Sequence, residues 1–347
     1  MSTERLWADD LTGACELADL VRARRGFARV ELGASARDAR GAAVVDLDLR
    51  HAAPSEVTSV LDGLLADVAP AERVAFKIDS QLHGPVTAYL AAFIARERDV
   101  FFCPANLDAG RVVVDGVHRL PSPAGSASVA LSALVPPGGS ARVTTAHHVD
   151  DIAGLRRFAT AAHGRDVVGS AAFIDACLEI GPDRPRITPS PLPSGTAPGM
   201  LVIAGSSEPI IDEQLTDLRA HHPVDEFDPR RSRPDDAAWA LQHGRIVLVN
   251  TSPAELAHAG DFARATLSGL APDDSALLLT GGHTARRVLT ALGIASLTSI
   301  PSPVTGVASL RDERGLSIFT KPGSYGRGST LRDVADVVLA PSSKERS

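Results

Sequence analysis

Short runs rich in Val, Ile, Leu and Phe recur along this chain, each followed by a stretch whose apolar residues repeat at helical spacing. A strand buried on both faces reads as an unbroken apolar run, and a helix lying on a sheet shows a single apolar stripe. Their alternation predicts an α/β fold with mainly parallel sheets and crossover helices. In the first half the pattern predicts a strand before Asp9 and a helix after Asp10, then strands over residues 41–47, 73–78 and 100–103. Helices are predicted over 55–68 and 86–98, the first with Ser55 as its N-cap. Residues 111–117 are β-branched and follow Gly110, which predicts a short strand or hairpin arm. A further strand over 141–145 leads into a helix over 151–162.

Residues 181–199, GPDRPRITPSPLPSGTAPG, concentrate Pro and Gly as nothing earlier does. Such a stretch continues neither a helix nor a central strand, and it predicts an interdomain linker. Beyond it the alternation resumes, with strands over 200–204, 245–250, 276–280 and 316–320 and helices over 212–220, 261–270 and 285–292. The expected organisation is an N-terminal α/β domain over 1–180, the linker over 181–199, and a C-terminal α/β domain over 200–347.

Composition narrows the classes. The 347 residues are 44% hydrophobic, enough for two real cores, and carry a formal net charge of -7 without a long basic run, so no nucleic-acid partner is expected. The polar first residues and the lack of a long apolar run predict no membrane association and a cytoplasmic location. Cys15, Cys103 and Cys177 are odd in number and widely spaced, as expected of reduced thiols. The chain keeps only three lysines, Lys77, Lys321 and Lys344, and two of them fall within motifs.

In open parallel sheets, ligands bind beyond the carboxyl ends of strands, where loops lead into helix N-termini. Five polar clusters fall there. Asp9-Asp10-Leu11-Thr12-Gly13 places two carboxylates at a helix start, suited to capping or to orienting and deprotonating a hydroxyl. Lys77-Ile78-Asp79-Ser80-Gln81-Leu82-His83-Gly84 delivers Lys77 and Asp79 to one face of a strand end. Cys103-Pro104-Ala105-Asn106, followed by Gly110-Arg111, adds an amide and a guanidinium. In the second half, Gly205-Ser206-Ser207 and Gly281-Gly282-His283-Thr284 each precede a helix and leave backbone N–H groups free for phosphate oxygens. Lys321-Pro322-Gly323-Ser324-Tyr325-Gly326 ends a third strand. Neither the glycine-lysine phosphate loop nor the GxGxxG dinucleotide fingerprint is present. His147-His148 followed by Asp150-Asp151 reads as a solvated loop and helix cap, because adjacent strand side chains point to opposite faces. No protein metal site is expected.

Taken in order, residues 8–14, 77–85 and 103–116, Val168-Gly169-Ser170-Ala171, Gly205-Ser206, Gly281-Gly282-x-Thr284-Ala285 and Lys321-x-Gly323 resemble the four-carbon acid sugar kinases, as a divergent and short member. The resemblance covers nearly the whole chain. It implies that the domain over 1–180 binds substrate, that the domain over 200–347 binds nucleotide, and that the active-site cleft lies between them, in an ATP-dependent kinase, with Mg²⁺, acting on a hydroxyl of a small polyhydroxy acid or related sugar-like metabolite. On that resemblance Asp9 and Asp10 are catalytic, while Arg50, Lys77, Asp79, Ser80, His83, Asn106 and Arg111 bind substrate. Ser206, Ser207, Gly281, Gly282, His283, Thr284 and Gly323 line the ATP site. The family usually has Thr and Arg where Gln81 and His83 stand. A kinase-like binding protein without turnover is the alternative, and a homodimer is among the assemblies the reading allows.

Overall fold

The computed structural model describes residues 4–33, 39, 41–121, 127–179, 197–205 and 208–339. The chain divides into two compact units, Met1–Ile187 and Thr188–Ser347. Each is a mainly parallel sheet flanked by helices.

The first unit runs β1 (Glu4–Ala8), α1 (Leu11–Arg25), β2 (Arg29–Leu32), β3 (Ala43–Asp46), α2 (Pro54–Ala66), β4 (Arg73–Lys77), α3 (Val86–Ala95) and β5 (Val100–Cys103). Three short strands, β6 (Val112–Val114), β7 (Val117–Leu120) and β8 (Ala127–Ala130), form an antiparallel side sheet. The chain then adds β9 (Val143–Thr145), α4 (Ile152–Ala161), β10 (Asp166–Gly169) and α5 (Ala171–Glu179). The main strands lie in the order β2-β3-β1-β4-β10-β5-β9, all parallel. Leu6, Trp7, Val44, Val74, Phe76 and Phe102 are buried in it, as expected for strands covered by helices on both faces.

Register decides what this sheet presents. Ala8 pairs with both Asp46 and Lys77, Lys77 with Gly169, and Gly169 with Cys103, so these strands end level. From β1 the chain passes to one side for β2 and β3 and to the other for β4, which makes the end of β1 a topological switch point. Asp9 and Asp10 sit there.

The second unit runs β11 (Gly199–Ala204), α6 (Pro209–His221), β12 (Val224–Glu226), α7 (Pro234–Gln242), β13 (Ile246–Asn250) and α8 (Leu256–Leu267). It continues through β14 (Ser275–Thr280), α9 (Gly282–Ala291), β15 (Ser296–Ile300), β16 (Ala308–Arg311), β17 (Ser317–Lys321) and α10 (Thr330–Val338). Strands β12-β13-β11-β14-β17 are parallel, and β16 and β15 extend the sheet as an antiparallel pair. Met200, Val202, Leu278 and Phe319 pack under Ile211, Leu215 and Leu218 of α6 and Leu331 and Val334 of α10. Asn250 pairs with Ala204, Ala204 with Thr280, and Thr280 with Lys321, so this unit too gathers its strand ends at one edge.

Three expectations need correction. Ser55 does not cap α2: Ala53 holds the N-cap position and Pro54 begins the helix without side-chain capping. Proline lacks the N–H that a cap would satisfy and is preorganised for a first turn. The antiparallel β15–β16 pair was not foreseen, because SLTSI and ASLR mix polar with apolar residues. The predicted linker over 181–199 lies largely outside the described residues, but its last residue, Gly199, starts β11. A β-carbon there would fall 2.2 Å from the Leu241 carbonyl oxygen, so the glycine serves close packing.

Candidate active site

The first site is built on the turn from β1 to α1. Asp10 holds extended backbone at the N-cap of α1, and its Oδ1 accepts from the Gly13 N–H at 2.8 Å. Its Oδ2 accepts from the Thr12 hydroxyl at 2.5 Å. Capping is therefore part of what this carboxylate does. Asp9 has no exposed surface, and its backbone N–H donates to Lys77 O while its carbonyl accepts from Leu49 and Arg50. The turn is thereby tied to β4 on one side and to the loop after β3 on the other.

Arg50 closes this corner. Its Nε and Nη2 donate to the two oxygens of Asp9 at 3.1 and 2.7 Å, and Nη2 also lies 2.6 Å from Asp10 Oδ1. Such two-pronged pairing is what a planar guanidinium supplies to carboxylates. Burial pushes the Asp9 carboxyl above its ordinary value, Arg50 pulls it back, and the neighbouring Asp10 adds to the rise. Burial disfavours the Arg50 cation, but Asp9 and Asp10 outweigh it and hold the guanidinium firmly charged.

Lys77, at the end of β4, reaches over the first turn of α1 and lies 3.4 Å from Glu16 Oε2. Burial lowers its pKa, yet Glu16, Asp10 and Asp9 together keep the ammonium above its ordinary value. Gly13 makes this approach feasible: a β-carbon there would stand 2.5 Å from Lys77 Nζ and 2.8 Å from Asp10 Oδ1. In the loop after β4, the Asp79 carboxylate accepts from Gln81 N–H and pairs with His83 Nδ1 at 2.6 Å. Its burial is outweighed by Arg50, by that N–H, and by Lys77 and His83, which hold it below the usual carboxylate range. Leu82 takes a left-handed φ of 64°, a strained state for a branched side chain, as the loop turns toward α3.

The side sheet contributes from a third direction. Arg111 Nη1 donates to Ser80 Oγ at 2.5 Å. His118 of β7 is wholly buried, with Nε2 2.8 Å from Ser80 O and Nδ1 3.2 Å from Val112 O. Burial holds this imidazole below its ordinary pKa. Asn106 accepts from Ala109 N–H and so shapes the turn before Arg111.

The structure thus gathers Asp9, Asp10, Arg50, Lys77, Asp79, Ser80, His83 and Arg111 around the ends of β1 and β4, and it places Arg50 on Asp9 and Asp10. Sequence reasoning overlooked Glu16 and His118. The spacing of Gly13 and Glu16 on one helix face was a usable signal for the former. None marked the latter.

The second site belongs to the other unit. Helix α9 begins at Gly282 with Gly281 as N-cap, at φ 90° and with no side-chain cap, the kind of helix start at which anions bind. Gly205 lets this turn lie close to β11: a β-carbon there would sit 2.4 Å from Thr284 Oγ1. Thr284 is buried and His283 exposed. At the next strand end Lys321 donates to Gly323 O at 3.3 Å, and burial lowers its pKa to about 8 against the opposing pull of Glu208. Thr280 Oγ1, beside Lys321 in the sheet, is buried without a hydrogen-bond partner. Ser206 and Ser207 lie outside the described residues. An uncapped helix start, a poised ammonium and glycines that clear the approach fit a phosphate-bearing nucleotide. Among the described residues no group of three or more His, Cys, Asp or Glu is placed to hold a metal ion. His148 instead pairs with Asp150 at 3.4 Å, and the three cysteines are free thiols.

Comparison with known proteins agrees with this division. Residues 6–145 match the family model of a sugar-binding N-terminal domain, and residues 201–331 that of a nucleotide-binding C-terminal domain. The chain is a two-domain α/β protein with a sugar-binding N-terminal and a nucleotide-binding C-terminal domain. Among solved structures it is similar to a Salmonella typhimurium LT2 protein provisionally described as a tRNA synthase, with 16% identity, 95% of this chain and 98% of the other covered, and a TM-score of 0.72. It is also similar to Haemophilus influenzae protein HI1011, of the DUF1537 family model, with 16% identity, coverages of 94% and 98%, and a TM-score of 0.64. At this identity the likeness is one of fold. No curated protein matches the chain. No helix among the described residues is long and apolar enough to cross a membrane.

Proposed function

We propose that this protein is an ATP-dependent kinase that phosphorylates a hydroxyl of a small polyhydroxy acid or related sugar-like metabolite. The observation that carries the reading is the pairing of two unlike sites on one chain. A sugar-binding domain presents clustered carboxylates and cations at its switch point, and a nucleotide-binding domain presents an uncapped helix start beside a buried lysine. ATP would supply the phosphoryl group, and an accompanying Mg²⁺ would neutralise charge on the phosphates held at the start of α9 and by Lys321.

Within this chain, Asp10 orients the acceptor hydroxyl and takes its proton, since its carboxylate is partly accessible whereas Asp9 is sealed beneath Arg50. Asp9 fixes Arg50, and Lys77, Asp79, Ser80, His83 and Arg111 hold the remaining hydroxyl and acid groups of the substrate. The first turn of α9, Gly323 and Lys321 hold the phosphates. For transfer, the acceptor hydroxyl and the γ-phosphate must come within bonding reach.

The closed Asp9–Arg50–Asp10 contacts favour one other reading, a kinase-like protein that binds its ligands without turnover. Calorimetric titration with MgATP, followed by an ADP-release screen over aldonic acids, sugars and polyols, separates the two. Turnover is expected, and Asp10→Asn, which keeps a good N-cap, should lower kcat while leaving ATP affinity unchanged. ATP binding with no ADP release across the screen favours the non-enzyme, and no ATP binding defeats both.

A further inference from the structure

We propose that Tyr325 is the stacking platform for a purine base in the nucleotide-binding domain. The assignment rests on nucleotide binding by that domain and adds the part of the site that reads the base. Phe27, Ile152, Trp239 and Tyr325 are the large apolar side chains exposed among the described residues. Of the two in this domain, Trp239 already stacks on His243 with ring centroids 4.0 Å apart. Tyr325, 43% exposed, lies on the loop after β17, at the sheet edge where Gly281 and Lys321 sit.

The loop around Tyr325 is held from several sides. Strand β16 runs antiparallel to β17 with Ala308 opposite Thr320, which brings the preceding Gly306 to that same edge. The tyrosine ring rests on Gly306: a β-carbon at that residue, whose φ is +75°, would lie 1.7 Å from the ring's Cε1. On the other side of the loop, wholly buried Gln214 donates from Nε2 to the carbonyls of Tyr325 at 3.2 Å and Arg327 at 3.0 Å. Gly326, at φ +101°, leaves room for that amide and for Thr330 Oγ1, which accepts from Arg327 N–H. Two glycines and a buried amide thus fix the backbone of an aromatic side chain that keeps 43% of its surface exposed. Leaving so much ring area in water forgoes hydrophobic stabilisation, and a flat apolar ligand arriving beside the phosphate-binding turn recovers it. A purine base has that shape, and glycine-turn and lysine contacts anchor the attached phosphates.

Base–aromatic stacking is worth enough for a tyrosine-to-alanine change to weaken nucleotide binding about five- to 150-fold. The test titrates MgATP and inorganic triphosphate into the parent protein, Tyr325→Ala and Tyr325→Phe, with thermal unfolding recorded for each. Tyr325→Ala should lose ATP affinity by that factor, keep the parent's affinity for triphosphate, and unfold at the parent's temperature; Tyr325→Phe should match the parent. Unchanged ATP affinity in Tyr325→Ala overturns the assignment, as does an equal loss for both probes, which would make the ring a support for the loop. A parent that binds no ATP defeats the proposed function itself, so the two failures are distinct.

Discussion

Replacing Arg50 by leucine tests the electrostatic corner on which the first site is built. Asp9 has no exposed surface and receives two hydrogen bonds from Arg50, at 3.1 and 2.7 Å. Removing one partner of a buried ion pair costs about 3–5 kcal/mol, because the remaining charge is stranded. Asp9 keeps the charge of Lys77 and a long contact from Asp79 N–H at 3.4 Å, which puts the expected loss near the lower bound, about 3 kcal/mol. With a urea slope of about 2 kcal/mol per M, the midpoint falls by roughly 1.5 M. The assay is intrinsic fluorescence. Trp7 is buried in β1 beside Asp9, and the only other tryptophan, exposed Trp239, is silenced by Trp239→Phe. The pH dependence follows from the direction of the Asp9 shift. A carboxyl whose folded pKa is raised binds more protons folded than unfolded, so it destabilises increasingly as pH rises above its ordinary 3.8 and incurs no penalty below that. Arg50→Leu removes the largest downward pull and carries this window higher, so the deficit at pH 7 should shrink toward pH 5. Adding Asp9→Asn to the leucine variant should recover most of the loss. A variant within about 0.5 kcal/mol of the parent, or one whose deficit is unmoved by acid, would refute the reasoning.

Two further outcomes are expected. Lys321, with a pKa of about 8, is cationic below that pH and neutral above it. If it holds phosphate, MgATP affinity measured by calorimetry should fall by up to about tenfold per pH unit above 8, while Lys321→Arg stays flat; a flat parent profile removes Lys321 from the phosphate contacts. Gly13→Ala would put a β-carbon 2.5 Å from Lys77 Nζ and displace the ammonium, while helix propensity improves by up to about 1 kcal/mol. Acceptor kcat/KM should drop about ten- to hundredfold, the value of one or two charge-assisted hydrogen bonds; unaltered kcat/KM would show that Lys77 makes no contact with the acceptor.

Much of the architecture was legible because buried parallel strands declare themselves. The runs containing Val74 and Phe76, Phe102, Val202 and Leu278 are apolar on consecutive residues, and the motifs behind them sit at strand ends by topology alone. What the sequence hid was long-range pairing. Arg50 and Asp9 lie 41 residues apart, and only the parallel pairing of β3 with β1 brings their loops together. His118 was invisible for a related reason: in VHRL its polarity suggests the wet face of a hairpin, whereas a hydrogen bond to a backbone carbonyl makes its burial tolerable. The short β15 and β16 lack an unbroken apolar run and were missed with it.

Both sites use one physical device. At the first, a glycine in the opening turn of α1 admits the Lys77 ammonium over Asp10; at the second, a glycine at the end of β11 admits the opening turn of α9. A side chain at either position would separate groups that must act together, so the lost helix propensity or chain rigidity is the cost of bringing a charge or an amide donor close. The devices differ in what they leave behind. Lys77 meets Glu16 and Asp10 and remains firmly charged, whereas for Lys321 burial outweighs the opposing pull of Glu208, and its pKa drops to about 8. A cation already matched by acids positions a polar neighbour but attracts little further negative charge; one held below its ordinary pKa by burial gains most from an arriving anion. That difference follows the division of labour proposed for the two domains, the hydroxyl-bearing acceptor at the first and phosphate at the second.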